Sequence, residues 1–69
     1  SPQQRELERV YVALRTTQGE RVSQSDLAVV EPWVAAGWGT IVESRLFLTP
    51  LGWLRLDALV TALTEHRSR

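Results

Sequence analysis

Apolar residues recur at helical spacing near the beginning of the chain. Positions i, i+3, i+4 and i+7 of this stretch are apolar, which is the pattern of one face of an amphipathic helix. These residues are Leu7, Val10, Tyr11 and Leu14. Ser1 and Pro2 suit the helix start, because a hydroxyl accepts free amide protons and proline fits the first turn. Gly19 can adopt the left-handed conformation that closes a helix, so we expect this helix to end near Thr17.

A second stretch of helical spacing is interrupted by a proline. Its apolar positions are Leu27, Val30 and Val34. Its candidate N-caps are Ser23 and Ser25, with Asp26 following in the first turn. Pro32 lacks an amide proton and disfavours helical geometry at the residue before it. The sequence therefore predicts two short helices here, over 24–30 and 32–36.

The period then changes from helical spacing to two. Trp38, Thr40 and Val42 alternate with Gly39, Ile41 and Glu43, and a second short apolar run covers 45–48. Between them, Glu43 and Ser44 are turn candidates. This pattern predicts a two-stranded hairpin.

The last predicted helix begins at Thr49, whose hydroxyl can cap it, and has Pro50 in its first turn. We expect it to continue to about His66. One apolar stripe of this helix faces the predicted core: Trp53, Leu56, Leu59, Val60 and Leu63. A weaker apolar set falls on the opposite side: Leu51, Leu54, Ala58 and Ala62. A helix that is apolar on two sides is either central to its domain or docked on a neighbour, although the alanines also suit a plain surface helix.

The predicted order is three helices, a hairpin and a further helix. It indicates a mainly α fold with a small β-hairpin, in which a winged-helix-like three-helix domain is followed by a wing and a closing helix. Residues 1–69 are expected to form one such domain. Because no methionine is present even at position 1, we expect the chain to be a piece of a longer protein. Only the polar ends, 1–4 and 67–69, are expected to fray.

Composition excludes several classes of site. The chain has no cysteine, so it can form no disulfide and supply no thiolate to a zinc ion or an iron–sulfur cluster. Its apolar runs fall far short of the roughly 20 residues that a membrane span needs. There is no signal-peptide pattern either, and we expect a cytoplasmic protein.

The charge distribution disfavours a nucleic-acid partner. Eight arginines balance eight acidic residues over the whole chain. No Lys or Arg lies between Arg21 and Arg45, where the predicted recognition helix stands. That span carries Asp26, Glu31 and Glu43. A phosphate backbone would meet net negative charge there, which removes the largest sequence-independent part of DNA affinity.

Two residues are weak candidates for contact with a flat ligand or a metal. Trp38 is flanked by Gly37 and Gly39, which leave its ring uncrowded for stacking, although most tryptophans of a small domain belong to its core. His66 stands in the last predicted helical turn, where an imidazolium would favourably meet the helix C-terminus. The alternative for His66 is a metal or haem ligand whose partners lie elsewhere. No arrangement of hydroxyls, carboxylates and bases points to catalysis.

Two stretches and the distance between them resemble the C-terminal domain of the oxygen-independent coproporphyrinogen III oxidase family. Residues 13–19, ALRTTQG, resemble the segment that opens this domain, and residues 46–57, LFLTPLGWLRLD, resemble its closing pattern. The matching positions of the closing pattern are Leu48, Thr49, Gly52 and Asp57, and Gly37 also matches. The likeness covers nearly the whole chain and is closer to the haem-chaperone (HemW-like) branch than to the oxidase proper.

The resemblance implies a parent protein with an N-terminal radical S-adenosylmethionine barrel, a 4Fe-4S cluster and a role with porphyrin or haem. None of the cluster cysteines is present, so this chain should be a catalytically silent accessory domain that packs on the parent barrel. Architectural roles carry over to Thr49 as a cap, Gly52 as a close-packing position and Asp57 as a polar anchor. The alternative is an independent winged-helix module that binds protein or, as the less favoured partner, DNA.

Overall fold

Across residues 1–68, which a computed structural model describes, four helices and three strands follow one another. They are α1 (Pro2–Arg15), β1 (Glu20–Arg21), α2 (Leu27–Ala35), β2 (Gly39–Val42), β3 (Arg45–Leu48), α3 (Pro50–Trp53) and α4 (Leu56–Arg67). The fold is mainly α with a small antiparallel sheet, which confirms the coarse class predicted from the sequence.

Helix α1 begins as predicted and ends slightly early. The backbone N–H of Gln4 donates to Ser1 Oγ at 3.2 Å, which caps the helix. The last helical residue is Arg15 rather than Thr17, because Thr16 already has an extended backbone and its hydroxyl donates to the Ala13 carbonyl. That hydroxyl satisfies one of the carbonyls that a helix end leaves open.

The prediction of two helices around Pro32 is wrong, since α2 runs through Pro32 without a break. Proline cannot donate the amide bond to the carbonyl four residues earlier, that of Ala28, and the helix continues without this bond. Before the helix, Ser23 and Asp26 bond each other's backbone N–H groups, at 3.3 Å to the hydroxyl and 2.9 Å to the carboxylate. This reciprocal pair is a capping box that closes the turn leading into α2.

The hairpin is confirmed, and a third strand joins it. Glu43 and Ser44 have φ of 51° and 67°, and two positive values define the type I′ turn that suits a two-residue hairpin loop. Strand β1 pairs antiparallel with β3, giving the order β1-β3-β2. A strand of two residues carries no readable period, which is why the sequence pattern did not reveal it.

The single closing helix predicted from Thr49 is also corrected, because it is broken into α3 and α4. Arg55, between them, has φ −119° and ψ 19°. The break changes the direction in which later side chains point, so a wheel of constant 100° steps fails across it. Trp53, expected in the core, is therefore 54% exposed, whereas Leu59 and Leu63 of α4 are buried as expected.

The core lies between α1, α4, α2 and the central strand β3. Its buried members are Val10, Leu14, Val22, Val30, Trp33, Leu46, Leu59, Val60 and Leu63. Trp33 is in the core, while Trp38 is half-buried at its edge. Among residues 1–68, no helix is both long enough and apolar enough to cross a bilayer.

Candidate functional site

The exposed apolar surface of the chain is concentrated where α3 meets α4. Leu51 is 53%, Trp53 54% and Leu54 80% exposed. Ala58, one turn into α4, is exposed as well. We call Leu51, Trp53, Leu54 and Ala58 the α3–α4 corner. Three large apolar side chains are thus exposed within four residues, and apolar surface of this kind often marks contact with another molecule.

Thr49 and Gly52 fix the backbone that carries the α3–α4 corner. Thr49 Oγ1 donates to the Gly37 carbonyl at 2.6 Å and accepts from the N–H of Gly52 at 3.3 Å. Gly52 lies so close to Trp38 that a Cβ at position 52 would overlap the Trp38 carbonyl oxygen. The roles expected for Thr49 as a cap and Gly52 as a close-packing position therefore agree with the geometry. Together they orient α3 and hold Leu51 and Trp53 outward.

A shallow groove runs along the corner towards α1. Trp53, Leu54 and Ala58 line it on one side, and Tyr11 of α1 reaches it from the other. Arg55, Leu56 and Asp57 complete the lining. The groove therefore combines apolar and aromatic side chains with two charged ones, and aromatic residues and Arg are enriched in protein–protein interfaces.

The other residues singled out by the sequence are divided over the molecule. Asp57 is exposed in the first turn of α4, where a carboxylate favourably meets the positive end of the helix dipole. Ala62 is exposed one turn beyond Ala58. Their surface positions leave a docking role open, and that role stays a prediction.

The two weak ligand candidates make separate contacts. The guanidinium of Arg55 lies 4.8 Å from the centre of the Trp38 ring, in a cation–π contact that covers one face of the indole. A flat ligand that stacks on this face must displace Arg55. His66 contacts a different region, with Nε2 3.8 Å from Asp26 Oδ1. The structure therefore does not join Trp38 and His66 in one contact.

A cluster of ion pairs lies at the end of α4, and the sequence pattern did not predict it. We call Glu6, Arg9, Glu20, Asp26 and Arg67 the ion-pair cluster. Arg67 pairs with Glu20 at 2.5 Å, Asp26 at 2.9 Å and Glu6 at 3.2 Å. Arg9 pairs with Glu20 at 2.8 Å and Glu6 at 2.7 Å. The expectation that the end of the chain frays at 67 is thus wrong, because Arg67 is the last residue of α4 and is held by three carboxylates.

The buried carboxylates of this cluster are paired with arginine side chains. The side chains of Glu20 and Asp26 are each only 4% exposed. Burial alone would raise the pKa of Asp26, but hydrogen bonds from Arg67 and Ser23 outweigh it and lower that pKa. For Glu6, the hydrogen bond from Arg9 is the main cause of a lowered pKa. Asp26 and Glu6 are therefore ionised at neutral pH.

Only one local signal pointed towards this cluster. The Ser23-x-x-Asp26 spacing is a capping-box pattern, which places the Asp26 carboxylate at a helix start. No sequence rule joins it to Arg67, which is 41 positions away. Among the described residues, no group of three or more His, Cys, Asp or Glu side chains is arranged to hold a metal ion.

Comparison with known proteins yields no match for the chain, whether with family models, with curated proteins or with solved structures.

Proposed function

We propose that this chain is a non-catalytic accessory domain that packs on another domain of a longer polypeptide through the α3–α4 corner. The observation that carries the proposal is the exposure of Leu54, at 80%, beside the half-exposed Leu51 and Trp53. Fully burying a side chain of this kind is worth about 1.5–3 kcal/mol. Leaving three of them in water on a rigid turn is explained if a partner covers them.

The composition of the corner suits such a contact. Tryptophan is enriched among the residues that dominate interface energies, especially where it is surrounded by apolar neighbours. The scaffold formed by Thr49 and Gly52 fixes the corner in place, so little conformational entropy is lost on docking.

The partner proposed is the catalytic barrel of an oxygen-independent coproporphyrinogen III oxidase-like protein, either an enzyme of haem biosynthesis or a haem chaperone. The basis is the resemblance of residues 13–19 and 46–57, the second of which contains most of the corner. The fold proposed is winged-helix-like, with the β2–β3 hairpin as the wing. It is supported by the β1-β3-β2 strand order, although two helices rather than the three expected precede the hairpin. In this role the chain itself supplies no ligand to the cluster or to S-adenosylmethionine.

The decisive measurement compares amide hydrogen exchange in the isolated 69-residue chain with exchange in the whole polypeptide to which it belongs. We expect residues 51–58 to be protected in the whole polypeptide and Leu54→Ser to remove that protection. Val42→Thr is the matched control, because Val42 is 55% exposed on the hairpin, away from the corner. Equal exchange at 51–58 in both settings would overturn the docking proposal.

The family assignment has its own test in the sequence that precedes this chain. A CxxxCxxC motif within the preceding few hundred residues supports a radical S-adenosylmethionine parent. An Arg-rich helix or a receiver-like domain in that place would instead favour an independent winged-helix module. The observation that favours protein rather than DNA as the partner of such a module is the absence of Lys and Arg between Arg21 and Arg45.

Direct haem or porphyrin contact is a separate part of the proposal. Titrating haem into the chain while following tryptophan fluorescence tests it, with Trp38→Phe and His66→Ala as variants. Saturable quenching that either variant weakens assigns that residue to the ligand. Identical titrations for all three proteins would exclude both residues.

A further inference from the structure

Arg67 joins four parts of the chain through one side chain. It reaches Glu6 on α1, Glu20 on β1 and Asp26 at the start of α2, while its own backbone ends α4. The Arg67 side chain is 20% exposed, so its contacts with these carboxylates are largely shielded from water. No other contact described above links the end of α4 to so many elements.

The same guanidinium covers a sheet edge. Glu20 faces Leu46 of β3, and the N–H of Val22 donates to the Ser44 carbonyl at 2.9 Å. Backbone groups alternate in direction along a strand, so those of Arg21, between them, point away from β3. Arg67 Nη2 donates to the outward carbonyl of Arg21 at 2.8 Å. An uncovered edge strand is a template for pairing with another chain, and Arg67 blocks part of this one.

The cluster depends on Arg67 for its charge balance. Three carboxylates, Glu6, Glu20 and Asp26, face two guanidinium groups, Arg9 and Arg67. Without Arg67, Arg9 would be the one ion-pair partner of both Glu6 and Glu20. Asp26 would keep only its hydrogen bonds with Ser23 and its longer contact with His66. A buried carboxylate that loses its partner is strongly destabilised, so the surrounding segment must open to water or bind protons.

We propose that Arg67 is a clasp: its guanidinium holds the last turn of α4 against β1 by pairing with the buried carboxylates of Glu20 and Asp26. Losing the guanidinium or protonating the Asp26 carboxylate releases that turn and uncovers the outward edge of β1. The charged groups in contact with Arg67 or with its partners are Glu6 and Arg9 of α1, Glu20 of β1, Asp26 before α2 and His66 of α4. Arg21 contacts Arg67 through its backbone carbonyl, and Arg45 of β3 lies opposite Arg21. The device is independent of the α3–α4 corner.

Native-state hydrogen exchange on the 69-residue chain tests the clasp residue by residue. In Arg67→Gln, amide exchange at 65–68 and at 20–22 should accelerate about tenfold or more at pH 7, because local opening there no longer breaks buried ion pairs. The amides of the buried α1 residues Val10 and Leu14 should change much less. Arg5→Gln is the matched control, since Arg5 is an exposed arginine of α1 outside the cluster.

Uniform acceleration at all amides, or none at 65–68 and 20–22, would overturn the clasp. Arg67→Lys keeps the proposal testable if Arg67→Gln does not fold, because lysine keeps the charge but cannot bond several partners in one plane. The expected result for Lys is a smaller acceleration confined to the same two segments. Exchange equal to that of the unchanged chain would contradict the assigned geometry.

A second hydrogen-exchange experiment varies the pH instead of the sequence. After correction for intrinsic exchange, 65–68 and 20–22 should open selectively in the unchanged chain as the pH falls from 7 to 3. In Arg67→Gln this selective response should be lost, because the segments are already released. An equal response in both proteins would show that the carboxylates do not act through Arg67.

Discussion

Thr49 shows how one side chain can fix the local geometry of a functional surface. Its hydroxyl accepts from Gly52 N–H and donates to the Gly37 carbonyl, so it caps α3 and ties it to the chain before β2. The sequence predicted the cap from Thr49 and Pro50 alone. The bond to Gly37 spans 12 positions and required the tertiary structure. Arg55 is a second case, since only the folded chain brings its guanidinium over Trp38.

Replacing Thr49 by alanine should lower the free energy of unfolding by about 1 kcal/mol, the usual value of a lost N-cap hydroxyl. The lost donor to Gly37 acts in the same direction. Urea unfolding followed by circular dichroism measures the change. Thr61→Ala is the control, because Thr61 is exposed in the middle of α4 and should change stability by no more than about 0.5 kcal/mol. Equal midpoints for Thr49→Ala and the unchanged chain would refute the cap.

At the scale of elements, the short helix α3 decides which apolar residues reach the surface. A continuous helix from Thr49 would have turned Trp53 inward, and the break at Arg55 turns it outward. Gly52 allows this path because its backbone lies against the Trp38 carbonyl. The hairpin follows the sequence pattern more closely, since its turn is set locally by Glu43 and Ser44.

Gly52→Ala should lower the stability of the fold more than the addition of one methyl group usually does. The added methyl group would overlap the Trp38 carbonyl oxygen, so α3 must move away from β2. We expect a loss of at least about 1–3 kcal/mol, the range for overpacking a tight site. The loss should appear as a lower melting temperature and altered tryptophan fluorescence. Ala58→Gly is a control within the same corner, expected to cost about 1 kcal/mol through helix propensity alone. A Gly52→Ala variant as stable as the unchanged chain would disprove the close approach.

At the scale of the whole molecule, a chain of 69 residues buries only about 60% of the surface that its unfolded form exposes, so few interactions can be lost. The ion-pair cluster matters for this reason. It connects α1, β1 and the start of α2 with α4, and it does so on the opposite terminus of α4 from the corner. The α3–α4 corner and the ion pairs of Arg67 therefore lie at opposite ends of α4.

The cluster also sets the acid response of stability. The pKa values of Asp26 and Glu6 are lowered in the folded chain, so the unfolded chain binds more protons as the pH falls. Their contribution is present in full above the unfolded pKa values of about 4 and is lost as the pH falls through the lower folded values. We expect the free energy of unfolding to decline below about pH 4.5.

Urea unfolding between pH 7 and pH 2.5 measures this decline. Asp26→Asn should be less stable at pH 7. The acid limb of its stability curve, meaning the fall of the free energy of unfolding at low pH, should be flatter because one of the coupled carboxylates is gone. Glu31→Gln serves as the control, since Glu31 is exposed on α2 and should leave the limb unchanged. Parallel acid limbs for Asp26→Asn and the unchanged chain would remove Asp26 from the explanation.

What the sequence determined by itself is local: the capped start of α1, the hairpin and its turn, the cap at Thr49 and the apolar positions that supply most of the core. Each follows from backbone preferences or from spacing within one element. The tertiary structure alone decided the third strand, the continuity of α2 through Pro32, the outward turn of Trp53 and the meeting of Arg67 with Glu20 and Asp26. The third strand and the ion pairs of Arg67 depend on contacts between residues far apart in the chain, whose energies no local pattern contains.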